Sequence, residues 1–154
     1  MKLTCGSLIL LVLLSSVLLY IPVSKADSTS LNATADSYCY QYSPNTNYGT
    51  ATTVNVASYL RTTPPAGSRN KRTFAEFDIS TVLGYNIQSV TLNLYCTSLS
   101  ASGRTYYANR VMGSWTETGI TWNNMPAVTT ANQNSTTGPS ATGWWSIQVT
   151  DIVK

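Results

Sequence analysis

The sequence contains no histidine, and that absence alone removes much of enzyme chemistry. Without imidazole there is no Ser–His or Cys–His nucleophile pair, and no His-bearing zinc set. Three cysteines, with Cys5 ahead of the N-terminal apolar run, cannot supply a four-thiolate metal site. Six carboxylates in 154 residues leave few acid–base candidates. No glycine-rich phosphate cradle stands ahead of a helix, and no helical stripe follows residue 26. A net charge of +3 without an extended basic face argues against nucleic acid as a partner.

What is present begins with a leader. Lys2 precedes an almost unbroken apolar run from Leu8 to Ile21, followed by Pro22, Ser24, Lys25 and Ala26. Ser24 and Ala26 give the small-x-small pattern of a cleavage site, which predicts a signal peptide over residues 1–26. The run is shorter than the roughly 20 apolar residues of a membrane helix, so no span is expected after cleavage. Cys5 lies before the run and is not placed as a lipid-modified cysteine. The expected location is secreted, extracellular or cell-surface. Residues 27–154 then form one domain with its own core. Lys2 and Lys25 leave with the leader, which lowers the net charge to +1.

Cys39 and Cys96 remain, and an even count in an exported chain points to one disulfide. Such a bond would restrict the unfolded chain by roughly 4 kcal/mol in the entropy model. The plain alternative is two buried free thiols. Asn32 and Asn134 each begin an Asn-x-Thr pattern for N-glycosylation.

Past the leader the chain is rich in Thr, Ser, Asn, Tyr and Gly, with short apolar alternations. Strands are expected over 34–40, 53–59, 71–78, 89–97, 104–112 and 144–149. In 89–97, Val90, Leu92, Leu94 and Cys96 point inward. In 104–112, Tyr107 and Val111 share one face, and Tyr106 and Arg110 the other. Residues 126–143 read as a long polar loop. Many short strands without a βα rhythm predict an all-β fold, an antiparallel β-sandwich or jelly roll.

Glycoside hydrolysis needs only two carboxylates, and Glu76 and Asp78 share a strand face about 6–7 Å apart. Alternating charge on an exposed strand explains the same pattern, and small β domains more often bind than react. Trp115 and Trp122 lie seven apart in "GSWTETGITWNNMP" (113–126). Gly119 interrupts the run, so their spacing does not decide between a ligand platform and a core plug.

An ordered set of motifs spans nearly all of 27–154: "ATADSYCY" (33–40), "SPNTNYGT" (43–50), "KRTFAEFDIS" (71–80), "IQSVTLNLYCTS" (87–98), "NRVMGSWTETGITWNNMP" (109–126) and "WWSIQVTDIV" (144–153). Together they resemble the DNRLRE-type domain, a secreted β-sandwich classed among carbohydrate-binding modules and found in disaggregatase-related proteins. The resemblance implies a non-catalytic module for acidic or cell-envelope polysaccharide. It also implies that Trp122 and Trp115 are core residues, and that Asp36, Asp78 and Asp151 cap turns. No cofactor is implied, although calcium at those carboxylates would be chemically reasonable. The string that names the family is absent; its nearest counterpart is 67–73. Family members also continue beyond the "VTDIV" segment with a further turn and strand, so a missing C-terminal closing strand is expected.

A uronate polymer calls for cations against its carboxylates, Arg bidentately. Arg72 and Arg110 are the foremost candidates, followed by Lys71, Arg69 and Arg104. Tyr95 and Tyr106, with Tyr40, Tyr42, Tyr48 and Tyr59, are the aromatic candidates, although tyrosines also pack across strands without any ligand. Two other functions remain: a structural or adhesive surface protein joining another chain by strand addition at an open sheet edge, and a small polysaccharide-cleaving enzyme.

Overall fold

The structure is a computed structural model and describes residues 27–63, 65–99 and 103–154. The expected leader, residues 1–26, lies outside the described residues. Residues 31–154 form one compact unit. Its strands are β1 (Ala33–Tyr40), β2 (Leu60–Arg61), β3 (Gly67–Ser68), β4 (Lys71–Phe77), β5 (Thr91–Cys96), β6 (Thr105–Val111), β7 (Val128–Thr137) and β8 (Gly143–Gln148). A 3₁₀ turn at Ser80–Val82 and one helical turn, α1 (Thr150–Val153), complete the described elements.

Every strand pairing is antiparallel, so the all-β expectation holds. The pairing is nested twice. β1 pairs with β4 around the small β2–β3 ribbon, and β5 pairs with β8 around β6–β7. Period-two alternation places the side chains: on β1, Ser37 and Cys39 are fully buried, while Tyr38 and Tyr40 take the opposite face. On β5, Leu92, Leu94 and Cys96 are half-buried and Thr91, Asn93 and Tyr95 are exposed, as the sequence predicts.

The core gathers where the two nested halves meet. Cys39, Phe74 and Ile120 are buried together, with Val111, Trp115, Trp122 and Met125 packed against them. Trp115 meets Phe74 at 5.9 Å between ring centroids. Both indoles of the 113–126 segment therefore serve the core. The same segment clamps the turn after β1. Asn47 Nδ2 donates to the carbonyls of Glu117 (2.8 Å) and Ile120 (2.7 Å). The Asn123 backbone N–H donates to the Pro44 carbonyl at 3.1 Å, and its Nδ2 donates to Asn45 Oδ1 at 2.7 Å. Gly49 lies so close to Glu117 that a Cβ there would collide with the Glu117 carbonyl, which explains the glycine. The "SPNTNYG" and "WTETGITWNN" stretches are thus the two sides of one polar staple.

Four expectations are corrected. Residues 53–59 are not a strand: only Ala57 bridges, to Lys71, and Val54 and Val56 are exposed at the margin of a cleft. Without an opposing layer, their alternation has nothing to bury against. Residues 126–143 are not a loop, because β7 runs through them. β6 supplies its hydrogen-bond ladder, and a ladder needs no apolar alternation. The register slips between Ala108 and Arg110, where 130–133 bulge out around Asn132 at φ 60°. That slip leaves Tyr107 exposed and turns Tyr106 toward Trp145, at 5.1 Å, so Tyr106 and Arg110 are not a simple outward pair. Finally, Cys39 and Cys96 are free thiols. Cys39 is sealed in the β1–β4 core, whereas Cys96 sits on β5 with its Sγ toward the Ser98 carbonyl at 3.5 Å.

Between the halves the packing opens. Phe74, Phe77, Leu92, Leu94, Val111 and Ile147 line a cleft of about 1690 Å³. No described helix is long and apolar enough to cross a membrane.

Candidate functional site

The face of β1–β4 opposite the core collects tyrosines and two cations. Alternation puts Tyr38 and Tyr40, both half-buried, on this face together, and the antiparallel register sets Lys71 opposite Tyr40 and Thr73 opposite Tyr38. Lys71 Nζ lies 4.8 Å from the Tyr40 ring centroid and 5.5 Å from that of Tyr38. Both distances are within cation–π range. The turn after β1 adds Tyr48, stacked on Tyr38 at 4.3 Å and 19°. Tyr42 leans on Tyr40 at 6.1 Å, and the Arg69 guanidinium carbon lies 3.1 Å from the Tyr42 ring centroid.

Arg69 is held more firmly than a surface arginine. It is 3% exposed, and its Nη2 donates to the Pro65 carbonyl at 2.8 Å. Its backbone N–H donates to the Tyr59 carbonyl at 2.9 Å, which brings the Tyr59 segment alongside. Its Nε has no hydrogen-bond partner among the described residues. The result is a row of rings with one ammonium among them and one guanidinium beneath Tyr42. Such a surface can stack against the C–H faces of sugars and attract a carboxylate.

Of the other candidates, all but Tyr95 line the cleft between the halves. Arg72 projects from the core side of β4, 5.3 Å from the Trp122 ring centroid. Arg104 precedes β6, and Arg110 on β6 pairs across to Thr129; both are exposed. Tyr106 is half-buried, with its ring so near Gly138 that a Cβ there would collide with it. Tyr95 stands on β5 in edge contact with Trp144 at 5.4 Å. The structure therefore gathers Lys71 and Arg69 at the tyrosine face, sets Arg72, Arg104, Tyr106 and Arg110 along the cleft that Lys71 also borders, and leaves Tyr95 apart. Tyr38 and Trp144 were absent from the sequence candidates. The signal for Tyr38 was its place two residues before Tyr40. For Trp144 it was the adjacent Trp145: neighbours on a strand face opposite ways.

The carboxylates do not converge. Among the described residues, no group of three or more Cys, Asp or Glu side chains could hold a metal ion. Asp78 Oδ1 accepts the Ser80 N–H at 2.9 Å, and this contact holds the pKa of its carboxyl below the usual carboxylate range. Asp78 thus caps the 3₁₀ turn, as the motif implies. Glu117 Oε1 accepts the Asp36 N–H at 3.4 Å, so this carboxylate too is engaged in the fold.

A family model for carbohydrate-binding module family 96 matches residues 27–154. The chain belongs to carbohydrate-binding module family 96. No individual curated protein matches it. Membership in this family is compatible with the resemblance drawn from the motifs and gives the tyrosine face a chemical context.

Proposed function

We propose that this family 96 module is a secreted, non-catalytic binder of acidic polysaccharide, acting through the tyrosine face of β1–β4. The observation that carries the reading is Lys71, its ammonium flanked by Tyr38 and Tyr40 beside the anchored Arg69. The rings supply stacking area, Arg69 holds Tyr42 in place from beneath, and the Lys71 ammonium meets the uronate carboxylates. A depressed Asp78 carboxyl is the opposite of what a general acid requires, which favours binding over cleavage. The leader over 1–26 supports export, and Asn32, exposed just before β1, suits a glycan acceptor. Asn134 lies within β7, opposite Ala108, and is the less open of the two sites.

Affinity electrophoresis in gels containing polygalacturonate or alginate tests this. The protein should be retarded, and Lys71→Ala should weaken binding by about tenfold, the loss of a typical central contact. Retardation should also decline as salt is raised. Equal retardation of wild type and Lys71→Ala would remove the reading.

A second reading, assembly through an open sheet edge, is favoured by the two-stranded pairings and the apolar cleft between them. It predicts oligomers that grow with concentration in analytical ultracentrifugation.

A further inference from the structure

We propose a second glycan-binding surface, for uncharged polysaccharide, on the outer face of the β5–β8 pair. The register sets Tyr95 opposite Trp144, Asn93 opposite Ser146, and Thr91 opposite Gln148. All six belong to the alternation that points away from the core, and all six are exposed. Trp144 is 75% exposed and Tyr95 is 59% exposed, although each is large enough to make an apolar patch costly without a use.

The chemistry of this face differs from that of the tyrosine face. None of the six side chains is charged, so nothing there selects a carboxylate. Tyr95 and Trp144 meet edge-on, at 84° between ring planes, and so present two differently inclined aromatic surfaces. The next row is a preset polar pair: Ser146 Oγ donates to Asn93 Oδ1 at 2.7 Å. That contact occupies the Asn93 oxygen and leaves its amide N–H groups to donate. The last row adds the Thr91 hydroxyl and the Gln148 amide.

Successive rows on one face stand about 6.7 Å apart, so the three rows extend over about 13 Å. An extended chain lying along the strands would stack one ring on the aromatic row and offer later hydroxyls to the amide and hydroxyl rows. Neutral, equatorially substituted pyranose chains match this order, because their C–H faces are apolar and their rims carry only hydroxyls. A uronate chain would set its carboxylates against a surface without a cation.

The test is affinity electrophoresis of the full protein in gels of hydroxyethyl cellulose, arabinoxylan or galactomannan, alongside polygalacturonate. At least one neutral polymer should retard the wild type, with little dependence on salt. Trp144→Ala should weaken that retardation about tenfold or more, and Asn93→Ala by a smaller factor. Trp144→Phe should retain much of it, and circular dichroism should show the strand signal unchanged in all three. Lys71→Ala should leave neutral binding intact, so failure of the acidic-polymer reading would not touch this result. No retardation of the wild type by any of the three neutral polymers would overturn the proposal. So would full binding by both Trp144→Ala and Asn93→Ala.

Discussion

Asn47 and Gly49 show how much of this fold rests on single polar positions. Asn47→Ala would strip two carbonyls, those of Glu117 and Ile120, of their donor. A loss of roughly 2–4 kcal/mol is expected, from two part-buried groups left unpaired. Gly49→Ala forces apart the same two segments and should cost roughly 1–3 kcal/mol, as overpacking does. Urea denaturation of both variants checks these values. Cys39 makes a different prediction. Burial pushes its thiol from an ordinary 9.0 up to about 11, outweighing the lowering by Arg72. The folded state therefore holds its proton more tightly than the unfolded state between those values. Stability is complete below pH 9 and is lost as the pH climbs toward 11, by roughly 1–3 kcal/mol. Tyr38, shifted upward by burial and then by Tyr48, extends the loss on the alkaline side. Stability measured across pH 8–11 should fall for the wild type and much less for Cys39→Ala.

Strands vary in how plainly the sequence displays them, and β5 and β7 mark the extremes. Val90, Leu92 and Leu94 alternate along the inward, half-buried side, so the faces of β5 could be read directly. β7 is written in Thr, Asn, Gln and Ser, and nothing local separates such a run from a loop. Its identity comes from β6, across a slip that only pairing can reveal. The slip also explains why Tyr106 and Arg110 were placed together: one displaced residue reverses every later side chain. Asn132 occupies the positive-φ corner of the bulge. Asn132→Gly should be nearly neutral, while Asn132→Val should cost about 1–2 kcal/mol, because a branched side chain resists that conformation. Thermal melts of the two variants distinguish these outcomes.

At the scale of the whole molecule, two nested strand sets are fastened by one polar staple and one small aromatic core. The motifs around Trp115 and Trp122 pointed to that core, since their indoles are joined to a Thr/Asn frame with few charges. The side proposed to face a glycan was legible only in part. Lys71, Arg69 and the tyrosines were candidates, and alternation set Arg72 opposite Lys71, but only the burial of Phe74 showed that the Arg72 side is the core side. Tyr48 joins the site only through a turn that folds back onto β1, a contact absent from any linear period. The disulfide expectation rested on compartment and count, and neither carries the geometry that keeps Cys39 inside one half and Cys96 on the other.

The cleft has a calorimetric meaning. Apolar walls left half-buried on folding, as Phe77, Leu92, Leu94 and Val111 are, release only part of their hydration shell, so they add less to the heat-capacity increment of melting. That increment should fall below the usual ~12–15 cal/mol/K per residue, and the stability curve should be correspondingly shallow. This domain would then vary little in robustness between cold and temperate surroundings, and any molecule that dried those walls would restore the steeper curve.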